Sequence, residues 1–251
     1  MADFTIAQDY TLPSEGKVYG QDVTPNVKLR SMTTVEEMKR LNHSDKPYKV
    51  MSEIMDDCLV EKIGISAYDL CIADYQYLLH KLRVVTYGTD YKLSSTCPYC
   101  GTVNTHTINL DELSTMPFDE DEYKKYSEFI LPVCQKKIKL RMQTPRMLDD
   151  ISSKAKEYRR KNPQAHGDSA FLFTLESLID TIDDERVERF KILPFVQKLS
   201  MKDTNHIIKS AQKLTTIFGL DSELLHTCNI CGLDYNSSFR TTSEFFGPSI
   251  D

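Results

Sequence analysis

The chain has 251 residues, of which 40% are hydrophobic and 27% charged, and its net charge is −6. That length suffices for one large domain or two small ones with a sizeable core, and the acidic balance supplies no global basic field to draw the chain to nucleic acid or anionic lipid. No apolar run approaches the ~20 residues of a membrane span, and Met1-Ala2-Asp3-Phe4-Thr5 lacks the basic-then-apolar pattern of a secretory signal.

Residues 1 to 29 read as irregular and extended. Leu12-Pro13-Ser14-Glu15-Gly16-Lys17 is polar and turn-forming, and Val27-Lys28-Leu29-Arg30 alternates like a short strand. Thr33 and Thr34 precede Glu36 and Glu37, which offers two overlapping capping-box registers for a helix start. A helix is expected after Pro47, where Val50, Met51, Ile54, Met55, Cys58 and Leu59 make one apolar stripe. Another is expected from about Asp74 to about Thr86. Its stripe is Tyr75, Leu78, Leu79 and Leu82, and Gly88 is its stop. Asp74 and Arg83 stand nine residues apart, too far to pair along one helix, so each is expected to cap or bridge to another segment.

The pattern then changes to β-branched segments around two cysteine knuckles. Cys97-Pro98-Tyr99-Cys100-Gly101 lies between residues 91–95 and 102–108, and Cys228-Asn229-Ile230-Cys231-Gly232 lies between residues 224–227 and 235–240. Two hairpins, each with a knuckle at its turn, make a zinc ribbon. Between them an acidic stretch, Asp119 to Glu122, is followed by a strand-like Lys136 to Arg141 and by helical signal after Pro145. Phe171, Leu172, Leu175, Leu178, Ile179 and Ile182 read as one helical stripe, continued by Val187 and Phe190 and ended or kinked at Pro194. Ser200 and Asp203 read as an N-cap pair before a stripe of Ile207, Ile208, Ala211 and Leu214, with Gly219 as the stop. The expected fold class is therefore α+β. Its parts are an extended N-terminal arm (1–30), a helical region (31–90), a zinc-ribbon-like module (91–110 with 222–242) and a mainly helical insertion (111–221).

Seven cysteines without a secretory signal point to a reducing compartment, where Cys-x-x-Cys means metal or redox chemistry. Cys97, Cys100, Cys228 and Cys231 form the four-thiolate set of a closed structural Zn²⁺ site, which leaves no coordination position for a substrate. Iron–sulfur ligation by the same thiolates is the other metal reading. Cys-Pro-Tyr-Cys is also the active tetrapeptide of glutaredoxins, but that chemistry needs the first Cys at a helix N-terminus. Here Gly101 and a β-branched stretch follow, and no βαβ frame surrounds them. Cys58, Cys71 and Cys134 read as buried small hydrophobes. His106 and His226 could replace a cysteine ligand, yet four cysteines already fill the site. Lys154, Lys156, Arg159, Arg160 and Lys161 form a basic cluster that reads as a solvated helix face, with no aromatic platform for bases. No GxSxG, HExxH or phosphate-loop motif occurs.

The order of several segments carries a resemblance: Leu12 to Tyr19, Leu29 to Glu37, Asp74 with Tyr77-Leu78-Leu79, Leu82-Arg83, Thr86-Tyr87-Gly88, and the Cys97 to Cys100 knuckle. In this order the chain resembles the baseplate hub subunits of contractile-tailed phages of the T-even type, over about the first 110 residues and more thinly beyond. The resemblance implies a non-catalytic structural or assembly component of the tail baseplate hub, assembled in the host cytoplasm and carried in the virion. Its partners would be other hub and tail proteins, with no nucleic acid, membrane or small-molecule substrate. Zinc is not implied by the resemblance and rests on the cysteines. A zinc-ribbon nucleic-acid binder and a thiol oxidoreductase are the rival readings. The extended residues 12 to 30 are the expected contact arm.

Overall fold

The computed structural model describes residues 5–164, 167–238 and 245–246. In chain order its elements begin with β1 (Ala7–Thr11), β2 (Asn26–Arg30), α1 (Thr34–Leu41), α2 (Pro47–Cys58), α3 (Ile72–Tyr87), β3 (Asp90–Thr96) and β4 (Val103–Asn109). Then come β5 (Thr115–Met116), α4 (Glu120–Ser127), β6 (Glu128–Ile130), β7 (Lys137–Leu140), α5 (Pro145–Lys161), α6 (Ser169–Leu178), β8 (Ile179–Ile182) and β9 (Glu185–Arg186). The chain continues through α7 (Arg189–Val196), α8 (Met201–Leu214), β10 (Gly219–Leu220), β11 (Glu223–Thr227) and β12 (Asp234–Ser238). The fold class is α+β: helices with small antiparallel sheets.

Local sequence chemistry sets most helix ends. Thr33 is the N-cap of α1 and forms a capping box with Glu36. Lys46, the N-cap of α2, makes no side-chain cap; the buried Asp149 of α5 supplies the acceptor instead, taking the Lys49 amide at 2.9 Å. Gly88, at φ +90°, terminates α3 as its sequence suggests. Ser200 caps α8 by accepting from the Asp203 amide.

α3 is an internal strut. Tyr75, Leu78, Leu79 and Leu82 are buried as the stripe requires, in a core shared with β2 and α2. At the other end, Cys71 and Ala73 belong to a second core formed by the insertion, with Ile138, Leu140, Leu175, Ile179, Ile207 and Phe218. Asp74 and Arg83 are fully buried and bridge away from the helix, as expected. Asp74 accepts from the Ser14 amide at 3.0 Å, from the Ser14 hydroxyl and from the Tyr19 hydroxyl at 2.7 Å. The Arg83 guanidinium donates to the carbonyls of Gly88 and Asp90 and lies within 5.8 Å of the ring centres of Tyr87, Tyr91 and Phe245.

From residue 5 onward the N-terminal segment packs on the rest of the chain. β1 pairs antiparallel with β2 from Ala7–Arg30 to Thr11–Asn26, and Leu12, Val23, Val27 and Leu29 lie in the first core. Ser14 is buried because Asp74, 60 residues along the chain, satisfies it. The turn expected at residues 12–17 is present, with Leu12, Pro13 and Ser14 buried.

The insertion departs from the sequence reading in its apolar stripe and at Gly219. Ile179 and Ile182 leave the helical stripe and form β8, the third strand of a sheet ordered β6-β7-β8-β9. The polar break is a hairpin turn, with Asp183 and Asp184 at φ +54° and +65°. Pro194 lies in the last turn of α7, which ends at Val196 as the sequence suggests. Gly219 does not stop α8, whose C-cap is Thr215. Its φ of +106° and its contact with Ala73 instead seat β10 against α3. β10 pairs with β5, so the entrance and exit of the insertion are tied together.

Candidate metal centre

Two hairpins carry the site. β3 pairs with β4 through seven residues, and β11 pairs with β12 through five. Burial alternates along all four strands, and the inward faces meet. His106 of β4 stacks on His226 of β11 with ring centres 4.1 Å apart, and the Tyr235 hydroxyl lies 2.7 Å from the Ser95 hydroxyl and 3.3 Å from His106 Nε2. Both histidines therefore sit on strand faces and away from the sulfur cluster. Phe239 and Arg240, expected to extend the last strand, lie outside the described residues.

The knuckles are near copies of one another. The Cys97 amide donates to Thr102 O at 2.9 Å and the Gly101 amide to Cys97 O at 3.0 Å; in the second knuckle Cys228 donates to Leu233 O and Gly232 to Cys228 O, both at 3.0 Å. Gly101 and Gly232 take φ +74° and +70° with open space around the missing Cβ, so the backbone conformation, not crowding, calls for glycine.

These turns bring all four sequence-assigned sulfurs together. The ligand atoms of Cys97, Cys100, Cys228 and Cys231 lie within 4.8 Å of one another. Cys97 and Cys231 sulfurs are 3.8 Å apart, and Cys100 and Cys228 sulfurs 3.6 Å. Four thiolates at about 2.3 Å from one tetrahedral ion have sulfur–sulfur edges of about 3.8 Å, whereas a disulfide would need about 2.05 Å. The donor set fits a single ion. Cys97 and Cys228 are buried, and Cys100 and Cys231 are exposed.

The surroundings favour thiolate at Cys228. Backbone amides of Cys231 and Ile230, followed by Asn104 and Cys100, push its thiol down to about 6. Thr102 lowers Cys100. For Cys231 the Leu233 amide is outweighed by desolvation and the neighbouring sulfurs, which push it up to about 11. Thiolates are what a metal binds.

Asn104 was not singled out by the sequence. Its side chain is buried, donates toward the Cys228 sulfur at 3.6 Å and accepts from the Asn229 amide at 3.0 Å, so it pins the second knuckle to the first hairpin. One signal could have drawn attention to the module: residues 93–110 contain no Asp, Glu, Lys or Arg, and residues 222–238 contain no Lys or Arg.

Other expectations divide. Cys97 sits at a hairpin turn and not at a helix N-terminus, so the redox geometry is missing. Cys58 and Cys71 are buried, but Cys134 is exposed, in the turn where Asp203 accepts from the amides of Val133 and Cys134. In the basic cluster on α5, Lys154, Lys156 and Lys161 pair with Glu176, Asp45 and Glu157. Among the described residues no helix is long and apolar enough to cross a membrane.

No match was found among curated proteins or solved structures. The family described as T4 bacteriophage base plate protein matches residues 5–247, nearly the whole chain. Strut, hairpins and insertion all fall within that span, and the chain belongs to the family of T4 bacteriophage base plate proteins.

Proposed function

We propose that this baseplate protein is a structural subunit of the tail hub, working through protein–protein contacts and carrying one structural Zn²⁺ at Cys97, Cys100, Cys228 and Cys231. The match across residues 5–247 carries the reading. The order of the segments from Leu12 to Cys100 supports the hub in particular. A four-thiolate ion would supply a staple, closing the long loop between the knuckles at a cost that grows only logarithmically with loop length. Such a site offers no open coordination position for catalysis.

The hairpins speak against nucleic acid. A phosphate-binding ribbon needs several Lys or Arg on its surface, and among the described residues the two hairpins carry a single one, Lys92 of β3. The partners in this reading are hub and tail proteins, met during assembly in the host cytoplasm and retained in the virion tail. An amber mutation in the gene tests it. Non-permissive infection should yield tail-less particles lacking hubs by electron microscopy, with hubs restored by the wild-type gene in trans. Normal tails in the absence of the chain would overturn the proposal.

A further inference from the structure

Helix α1 is amphipathic with its apolar face outward. Val35, Met38 and Leu41 recur at i, i+3 and i+6 and so share one face. They are 62%, 69% and 69% exposed, and no side chain among the described residues covers them. The charged residues of the same helix are held elsewhere. Glu36 is buried and accepts from Arg30 at 2.7 Å. Glu37 pairs with Arg40 at 2.6 Å and accepts from the Tyr87 hydroxyl at 3.0 Å. Lys39 pairs with Asp57 of α2. The helix ends at a cavity of about 330 Å³, where Arg40 and Asn42 meet Met51, Tyr75, Leu79 and Phe246.

We infer that this face docks into an apolar, uncharged groove on a neighbouring tail protein, with α1 lying in the groove. The inference rests on the baseplate reading. Charge selects the partner's chemistry: every charge on α1 already has an intramolecular partner, so a charged groove would gain no ion pair and would be desolvated for nothing. Area argues against a second copy of this chain. The three side chains present on the order of 350 Å², so two copies meeting ridge to ridge would bury roughly 700 Å², short of the ~1,200 Å² of a stable interface. A groove that wraps the helix buries its flanks as well, as in helix-in-groove recognition.

The test uses phage-infected cells. A photoreactive benzoylphenylalanine is placed at position 38, with the exposed residue Glu185 as control site. After irradiation, cross-linked products are identified by mass spectrometry. The expected result is a cross-link from position 38, and not from 185, to one other tail protein. A cross-link to a second copy or to a host protein overturns the inference. So does the absence of any cross-link when the chain is present in purified baseplates, a result that leaves the baseplate reading standing. Absence of the chain from baseplates would overturn both. In parallel, Met38→Asp should reduce incorporation of the chain into baseplates roughly 30-fold, the scale of a hot-spot residue, with melting temperature and metal content unchanged. Wild-type incorporation of a folded Met38→Asp chain would also overturn it.

Discussion

Ser14→Ala tests how the N-terminal loop is locked to the strut. The Ser14 hydroxyl and amide both donate to the fully buried Asp74 carboxylate, and the Tyr19 hydroxyl is its third donor. The hydroxyl also accepts from the Gly16 amide at 3.1 Å. A hydrogen bond to a charged group contributes about 1.5–3 kcal/mol, so the substitution should cost about 2 kcal/mol at neutral pH. Burial raises the Asp74 carboxyl above its ordinary value, and the Ser14 and Tyr19 donors oppose that rise. A carboxyl with a raised folded value contributes most at acid pH, and its contribution is lost as pH rises through the folded value. Losing one donor steepens that loss. Urea unfolding should therefore show a larger Ser14→Ala penalty at neutral pH than at about pH 4, near the ordinary carboxylate range, with the m-value unchanged. In an Asp74→Asn background the penalty should shrink and lose its pH dependence. A cost below about 0.5 kcal/mol, within the range of ordinary surface substitutions, or an equal cost at both pH values, would refute the clasp.

Deleting residues 1–20 should abolish folding, because it strips β1 from β2, Leu12 from the core and both Ser14 and Tyr19 from Asp74; a cooperative melt of the truncated chain would contradict this. Asn104→Ala should weaken metal binding by about 10–100-fold in chelator competition, as loss of a group orienting a ligand does, and an unchanged affinity would remove Asn104 from the site. Glu36 is held at about 2, because the bonds from Arg30 and Thr33 outweigh its burial. Its contribution, about 3 kcal/mol by linkage, is present above the ordinary carboxylate range and lost as pH falls toward 2; Glu36→Gln should remove that acid slope in urea titrations. Gly219→Val should lower stability by about 1–3 kcal/mol through its left-handed backbone, since a Cβ there would also lie 3.1 Å from Ala73 Cβ. A melt like that of the wild type would show that β10 can move off α3.

What could be read from the sequence was what local chemistry determines. The sulfurs of Cys97, Cys100, Cys228 and Cys231 were legible because each pair and its glycine make a self-contained turn. The strut was legible because its stripe lies within one helix and Gly88 directly follows it. Features decided by distant contacts were not. Asn104 acts through Cys228 and Asn229, more than 120 residues away. Ile179 and Ile182 continue a helical stripe in sequence, yet β7 pairs with them and converts the segment to a strand. The capping box fixed where α1 begins, but only Arg30, Tyr87 and Asp57 determine which of its faces turns inward. The apolar face left outward, Val35, Met38 and Leu41, is the one we infer to be the docking surface.

Quantitative mass spectrometry of hub complexes isolated at successive stages of infection tests the central claim most directly. The account predicts this chain in hub complexes and in the finished baseplate, at a fixed ratio to its neighbours. Hub complexes that lack the chain at every stage would contradict it.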